Sequence, residues 1–112
     1  MQNKVKKYLF DVKKAIGEIE SFIKNKNYQD FADGTLLQSA VERKLEIVGE
    51  ALNRIGKLDG DILNNITDAR RIIGFRNIII HGYDVLDSKI VWDALQNNLP
   101  QLKKEIDNLM ED

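Results

Sequence analysis

The 112-residue chain has no cysteine, one histidine and one proline. Each scarcity excludes something. Without cysteine there is no disulfide, no thiolate metal site and no cysteine nucleophile. A single histidine excludes a two-histidine metal site within one chain. No uninterrupted apolar run exceeds a few residues, which is too short for a membrane-spanning helix. Charge of one sign is not in excess either: 17 Lys and Arg stand against 18 Asp and Glu, a formal net charge of −1. That balance argues against a protein that coats nucleic acid non-specifically, because such binding rests on many phosphate contacts. The first seven residues, Met1 to Lys7, lead into an amphipathic pattern and not into an apolar signal core. A cytoplasmic protein is therefore the default expectation.

What is present describes a globular chain. The hydrophobic fraction is 43% and the charged fraction 31%, ordinary values for a folded domain. The length fits a single domain over residues 1–112. Such a chain can bury roughly 65% of its unfolded surface. Charge is uneven locally. Five lysines and one aspartate lie between Lys4 and Lys14, and Arg70, Arg71 and Arg76 cluster beside the single acid Asp68.

Apolar spacing predicts an all-α, antiparallel up-and-down bundle of four main helices. Val5, Leu9, Val12, Ile16, Ile19 and Ile23 form the stripe of the first, which stops at Asn25-Lys26-Asn27. Leu37, Val41, Leu45, Val48, Leu52 and Ile55 mark the second, with Asp33-Gly34-Thr35 as its start and Gly56 near its end. Residues 57–65 read as a connection with a short helical turn around Ile62 and Leu63. Ile66, Ala69, Ile73 and Ile80 set the third, with Thr67 as its N-cap. After a loop from Tyr83 to Asp87, Trp92, Leu95, Leu99, Leu102, Ile106 and Leu109 set the fourth, capped by Asp87 or Ser88. Pro100 falls inside that last pattern. It removes a helical hydrogen bond, so a kink or restart is expected near Asn97–Asn98.

Groups that could carry chemistry are few. Histidine is the side chain that titrates near neutrality, and His81 is the only one. It lies in the string Arg76-Asn77-Ile78-Ile79-Ile80-His81-Gly82-Tyr83. A five-residue offset turns a helical side chain by about 140°, so Arg76 and His81 do not share a face. They converge only if the helix loosens near His81, which Gly82 permits, or if a second chain supplies the other group. The plainer reading is a surface or C-capping histidine beside a solvated Arg-Asn pair. Ile78, Ile79 and Ile80 cover much of the helix circumference, which suits either burial within the bundle or a dimer contact. Glu46 and Glu50 lie one turn apart on the second helix. They could bind a divalent ion or serve as acid and base. The plainer expectation is that they are solvated, or that one of them pairs with an arginine of the third helix and positions it, with Glu50 to Arg76 the foremost pair.

The string with arginine, four residues, histidine, one residue and tyrosine resembles the signature of the HEPN superfamily. More specifically, the chain resembles the HepT-like toxins. Val41-Glu42-Arg43-Lys44-Leu45-Glu46-Ile47-Val48-Gly49-Glu50-Ala51 is similar to their second helix. Ile73-Gly74-Phe75-Arg76-Asn77 is similar to the approach to the motif, and Ile90-Val91-Trp92 with Asn98-Leu99-Pro100-Gln101-Leu102 to the last helix. The likeness spans roughly Val5 to Ile106.

The resemblance implies a metal-independent endoribonuclease with no cofactor, acting on RNA as a homodimer with the motif at the two-fold interface. It implies His81 as general base or acid and Arg76 as the cation that stabilises the phosphorane-like transition state. Asn77 would orient the phosphate or the imidazole, and Tyr83 would hold a phosphate or a base. Arg71 and Glu50 are possible supporting residues. It also implies a toxin–antitoxin pair in which an MNT-type nucleotidyltransferase neutralises the toxin, in part of the family by transferring AMP to the tyrosine, here Tyr83. The alternative is a non-catalytic HEPN module that binds nucleotides and associates with a nucleotidyltransferase.

Overall fold

The computed structural model describes residues 1–81 and 87–111. Among them are seven helices: α1 (Asn3–Ile23), α2 (Tyr28–Asp33), α3 (Thr35–Leu58), α4 (Gly60–Asn64), α5 (Ala69–His81), α6 (Ser88–Asn97) and α7 (Leu99–Met110). The four expected helices are α1, α3, α5 and the α6–α7 pair.

Val5, Leu9, Val12, Ile16 and Ile19 of α1 are completely buried. They pack on the stripe of α3, where Val41, Leu45, Val48, Leu52 and Ile55 are equally buried. Ion pairs and hydrogen bonds give the direction. Gln2 donates to the Leu58 carbonyl at 3.3 Å and Lys44 meets Glu18 at 3.0 Å, so α1 and α3 run antiparallel. Lys103 meets Glu20 at 2.9 Å and Asp107 meets Lys13 at 3.1 Å, so α7 is antiparallel to α1 as well. No helix among the described residues is long and apolar enough to cross a membrane.

The chain leaves α1 through Asn25, whose φ of 61° is left-handed, a conformation asparagine tolerates. Asn27 then opens α2 with a reciprocal cap. Its side chain accepts from the Asp30 amide, and the Asp30 carboxylate accepts from the Asn27 amide. This short helix has too few apolar positions to register as a period. Phe31 nevertheless anchors it, buried with its ring 5.5 Å from that of Trp92 on α6.

The last helix restarts where expected. α6 ends at Asn97, and Pro100 occupies the first turn of α7, where a missing N–H costs nothing. Asp87 caps α6 by accepting from the Lys89 amide.

Three expectations about helix ends and faces are corrected. α3 does not stop at Gly56 but runs to Leu58. Gly56 serves packing instead, since a Cβ there would stand 2.6 Å from Leu63 Cδ2 of α4. Thr67 is not the cap of the third helix. Its amide and hydroxyl both donate to the Glu105 carboxylate of α7, and α5 begins at Ala69. The buried face of α5 is Ala69, Ile72 and Phe75, whereas Ile80 points outward at 41% exposure.

Candidate active site

The site grows from the place where α5 crosses α3. Gly49 is buried there, and a Cβ on it would collide with Cβ of Arg76 and come within 3.2 Å of the Ile72 carbonyl. Only glycine lets the two backbones approach this closely. The next residue, Glu50, therefore lies directly under the Arg76 side chain. Glu50 Oε2 is 2.8 Å from Arg76 Nη2, and Glu50 Oε1 accepts from Arg54 Nε at 2.8 Å. The expected Glu50–Arg76 pair is thus formed, and a second arginine shares the carboxylate.

The Arg76 contact is an ion pair and not an aligned hydrogen bond. Glu50 Oε2 and Arg76 Nε are both shut from solvent and neither completes a hydrogen bond. Arg76 is 24% exposed, so solvent screens the pair only in part. Its remaining nitrogen, Nη1, donates to Asn77 Oδ1 at 2.7 Å. Glu50 first, and the Tyr8 hydroxyl after it, hold the Arg54 guanidinium still more firmly charged than usual. Tyr8, Glu46, Glu50, Arg54, Arg76 and Ile80 line a groove of about 270 Å³ between α1, α3 and α5.

The other expected residues divide. Glu46 faces the same groove and pairs with Arg43 of its own helix at 2.8 Å, not with an arginine of the third helix. Arg71 is not brought to the cluster. Its guanidinium lies 5.7 Å from the centre of the Phe75 ring, an exposed cation–π contact. His81 is exposed at the last helical position of α5, and the helix is continuous through it. Loosening before His81 therefore does not bring it to Arg76, and about 140° of helix rotation separates the two. Tyr83 and the loop through Leu86 lie outside the described residues. Of the consecutive isoleucines, Ile79 packs against the core while Ile78 and Ile80 are 36% and 41% exposed. Burial within the chain's own bundle therefore does not account for that run. No group of three His, Asp or Glu side chains suited to a metal ion occurs among the described residues.

Sequence reasoning gave no role to Gly49, Arg54 or Tyr8. Two signals were available. Glu50 and Arg54 have the i, i+4 spacing of a helical ion pair. Gly49 sits between Val48 and Leu52 on a buried stripe, where a residue without a side chain marks a close helix crossing.

Comparison with known proteins gives the family. A family model described as ribonuclease HepT-like matches residues 12–109. A Methanocaldococcus jannaschii protein provisionally named an RNase is 31% identical over 92% of this chain and 94% of its own length. A second from the same organism, named in the same way, is 31% identical over 96% of this chain and 88% of its own. A Thermococcus cleftensis protein provisionally named ribonuclease HepT is 33% identical over 97% of this chain and 98% of its own. No solved structure matches the chain.

Proposed function

The chain belongs to the HepT-like ribonuclease family, and on that premise we propose that it is a metal-independent endoribonuclease, the toxin of a toxin–antitoxin pair. The observation that carries this reading is the Arg76 cluster. A partly buried arginine is held by Glu50 and Asn77, on the helix that ends in the chain's only histidine. RNA cleavage through the ribose 2′-hydroxyl needs a base, an acid and a cation for the charge that develops on phosphorus.

One protomer has the cation and a single imidazole on different faces of α5. A two-fold dimer has two of each. His81 takes the proton of the 2′-hydroxyl, whose oxygen attacks phosphorus and expels the 5′-oxygen to leave a 2′,3′-cyclic phosphate. The partner subunit's His81 returns a proton to the departing oxygen. Arg76 presents its fork of donors to the non-bridging oxygens. Asn77 orients the phosphate or the imidazole. The exposed Ile78, on the same side of α5 as His81, supports a contact between two copies of α5.

A nucleotidyltransferase antitoxin of the MNT type neutralises the toxin in the cytoplasm. AMP placed on Tyr83 would bring negative charge and bulk beside the imidazole, where an RNA phosphate must sit.

The test is cleavage of total RNA in excess EDTA by the wild type, His81→Ala and Arg76→Ala, each checked for fold by circular dichroism. Cleavage by the wild type alone is expected. Cleavage by His81→Ala at the wild-type rate overturns the mechanism. A wild type that is inert, of unmodified mass, and still binds nucleotide supports the non-catalytic module instead.

A further inference from the structure

A second groove lies nearer the start of α5, between α3, α4 and α5, with a volume of about 440 Å³. Its chemistry differs from that around Arg76. Lys57 and Arg70 line it together with the amides of Asn53, Asn64 and Asn77, and no carboxylate is among its lining residues. Neither Lys57 nor Arg70 has an ion-pair partner among the described residues, although the acids outnumber the bases in the chain. Arg70 is steadied by donating from Nη2 to Asn64 Oδ1 at 3.2 Å. Gly74 lines the groove beside open space, since a Cβ there would meet nothing within 4 Å.

The groove is continuous with the chemistry proposed above. Arg70, Gly74, Asn77, Ile78 and His81 fall within about 100° of one another around α5. Arg70 precedes His81 on this face by roughly 16 Å of helix. Asn77, which lines the groove, also accepts the hydrogen bond from Arg76. A row that begins with two uncompensated cations, continues through amides and ends at the imidazole suits a polyanion laid along the helix.

We infer that this groove is a phosphate-binding track for single-stranded RNA, in which Lys57 and Arg70 hold backbone phosphates away from the cleaved bond and the asparagine amides contact sugar or base edges. The inference rests on the ribonuclease reading, whose substrate it extends along α5. Two cations and three amides favour a flexible single strand that can follow the helix. A duplex presents a rigid, evenly charged face, and nucleic-acid grooves bind single strands through charge that tracks the backbone.

The experiment uses His81→Ala, which keeps RNA intact, and a random-sequence single-stranded RNA pool carrying a fluorophore. Affinity is measured against salt with and without the added pair Lys57→Gln and Arg70→Gln. Both side chains are exposed, so the fold should survive their replacement. Loss of two phosphate contacts should make the slope of log affinity on log salt shallower by about 1.4 and weaken binding roughly 20-fold at 0.1 M salt. In the active background the same pair should raise KM and leave kcat unchanged. Unchanged affinity and slope overturn the track and point to an acidic protein surface as the groove's occupant. If the wild type cleaves RNA and KM does not respond to the pair, the track alone fails. If the wild type neither cleaves nor binds RNA, the ribonuclease reading fails and the track with it.

Discussion

The two grooves that flank α5 use their charges in opposite ways. Around Arg76, every arginine is answered by a carboxylate: Glu50 takes Arg76 and Arg54, and Glu46 takes Arg43. Around Arg70, no carboxylate lines the groove at all. Paired charges hold a side chain in place but attract little from solution. Unpaired charges attract a polyanion but do not define one geometry. The difference assigns positioning to the first groove and binding to the second, and Asn77 stands between them with its hydrogen bond to Arg76.

The glycines mark the same contrast. Gly49 lets α3 and α5 touch beside the first groove, whereas Gly74 faces open space in the second. The largest expected effect is therefore at Gly49. Gly49→Ala forces the helices apart against the Arg76 stem and should cost about 1–3 kcal/mol of stability, an overpacking penalty. Urea unfolding measures it, and RNA cleavage should fall with it as Arg76 is displaced. Wild-type stability would show that the crossing is looser than the structure indicates.

Glu50→Gln comes next. It keeps the size of the side chain and removes the charge that holds Arg76. Cleavage should drop about tenfold in kcat with little change in KM, the pattern of an interaction made chiefly in the transition state. The fold should lose no more than about 1 kcal/mol, because the pair is partly exposed. An equal fall for Glu50→Asp would mean that reach and not charge is what matters there.

Gly74→Ala should have the smallest effect and the opposite sign. A methyl group placed in open space on a helix interior adds about 0.5–1 kcal/mol of stability. Thermal unfolding checks this, with cleavage staying close to wild type. A loss of stability would show that the space beside Gly74 is filled in solution.

Much of this molecule was legible in one dimension. The stripes of α1 and α3 repeat over five or six positions each, long enough for period alone to define a helix and its buried face. Pro100 announced the restart between α6 and α7, because a missing N–H is tolerated only in a first turn. The foremost acid–arginine pair, Glu50 with Arg76, was also readable, since helix order and facing stripes bring those residue types together. Other features were not. α2 is too short to show a period, and Phe31 acquires its meaning only against Trp92. The third helix was read from Ile73 and Ile80 although Ile72 and Phe75 are its buried positions. Apolar residues lie on every side of that helix, so hydropathy alone does not orient it.

Composition, spacing and the order of motifs sufficed for an all-helical chain with the residues of a ribonuclease family. These properties follow from local periodicity and from side-chain identity, which do not depend on what a residue meets in space. Which arginines are neutralised and which stay available was decided by tertiary contact. Arg70, Arg71 and Arg76 look alike along the chain. One faces an open groove lined by amides, one lies over a phenyl ring, and one is clamped by a carboxylate two helices earlier. Charge pairing falls off over a few ångströms, so its outcome depends on the register of α5 against α3, and the close contact at Gly49 sets that register.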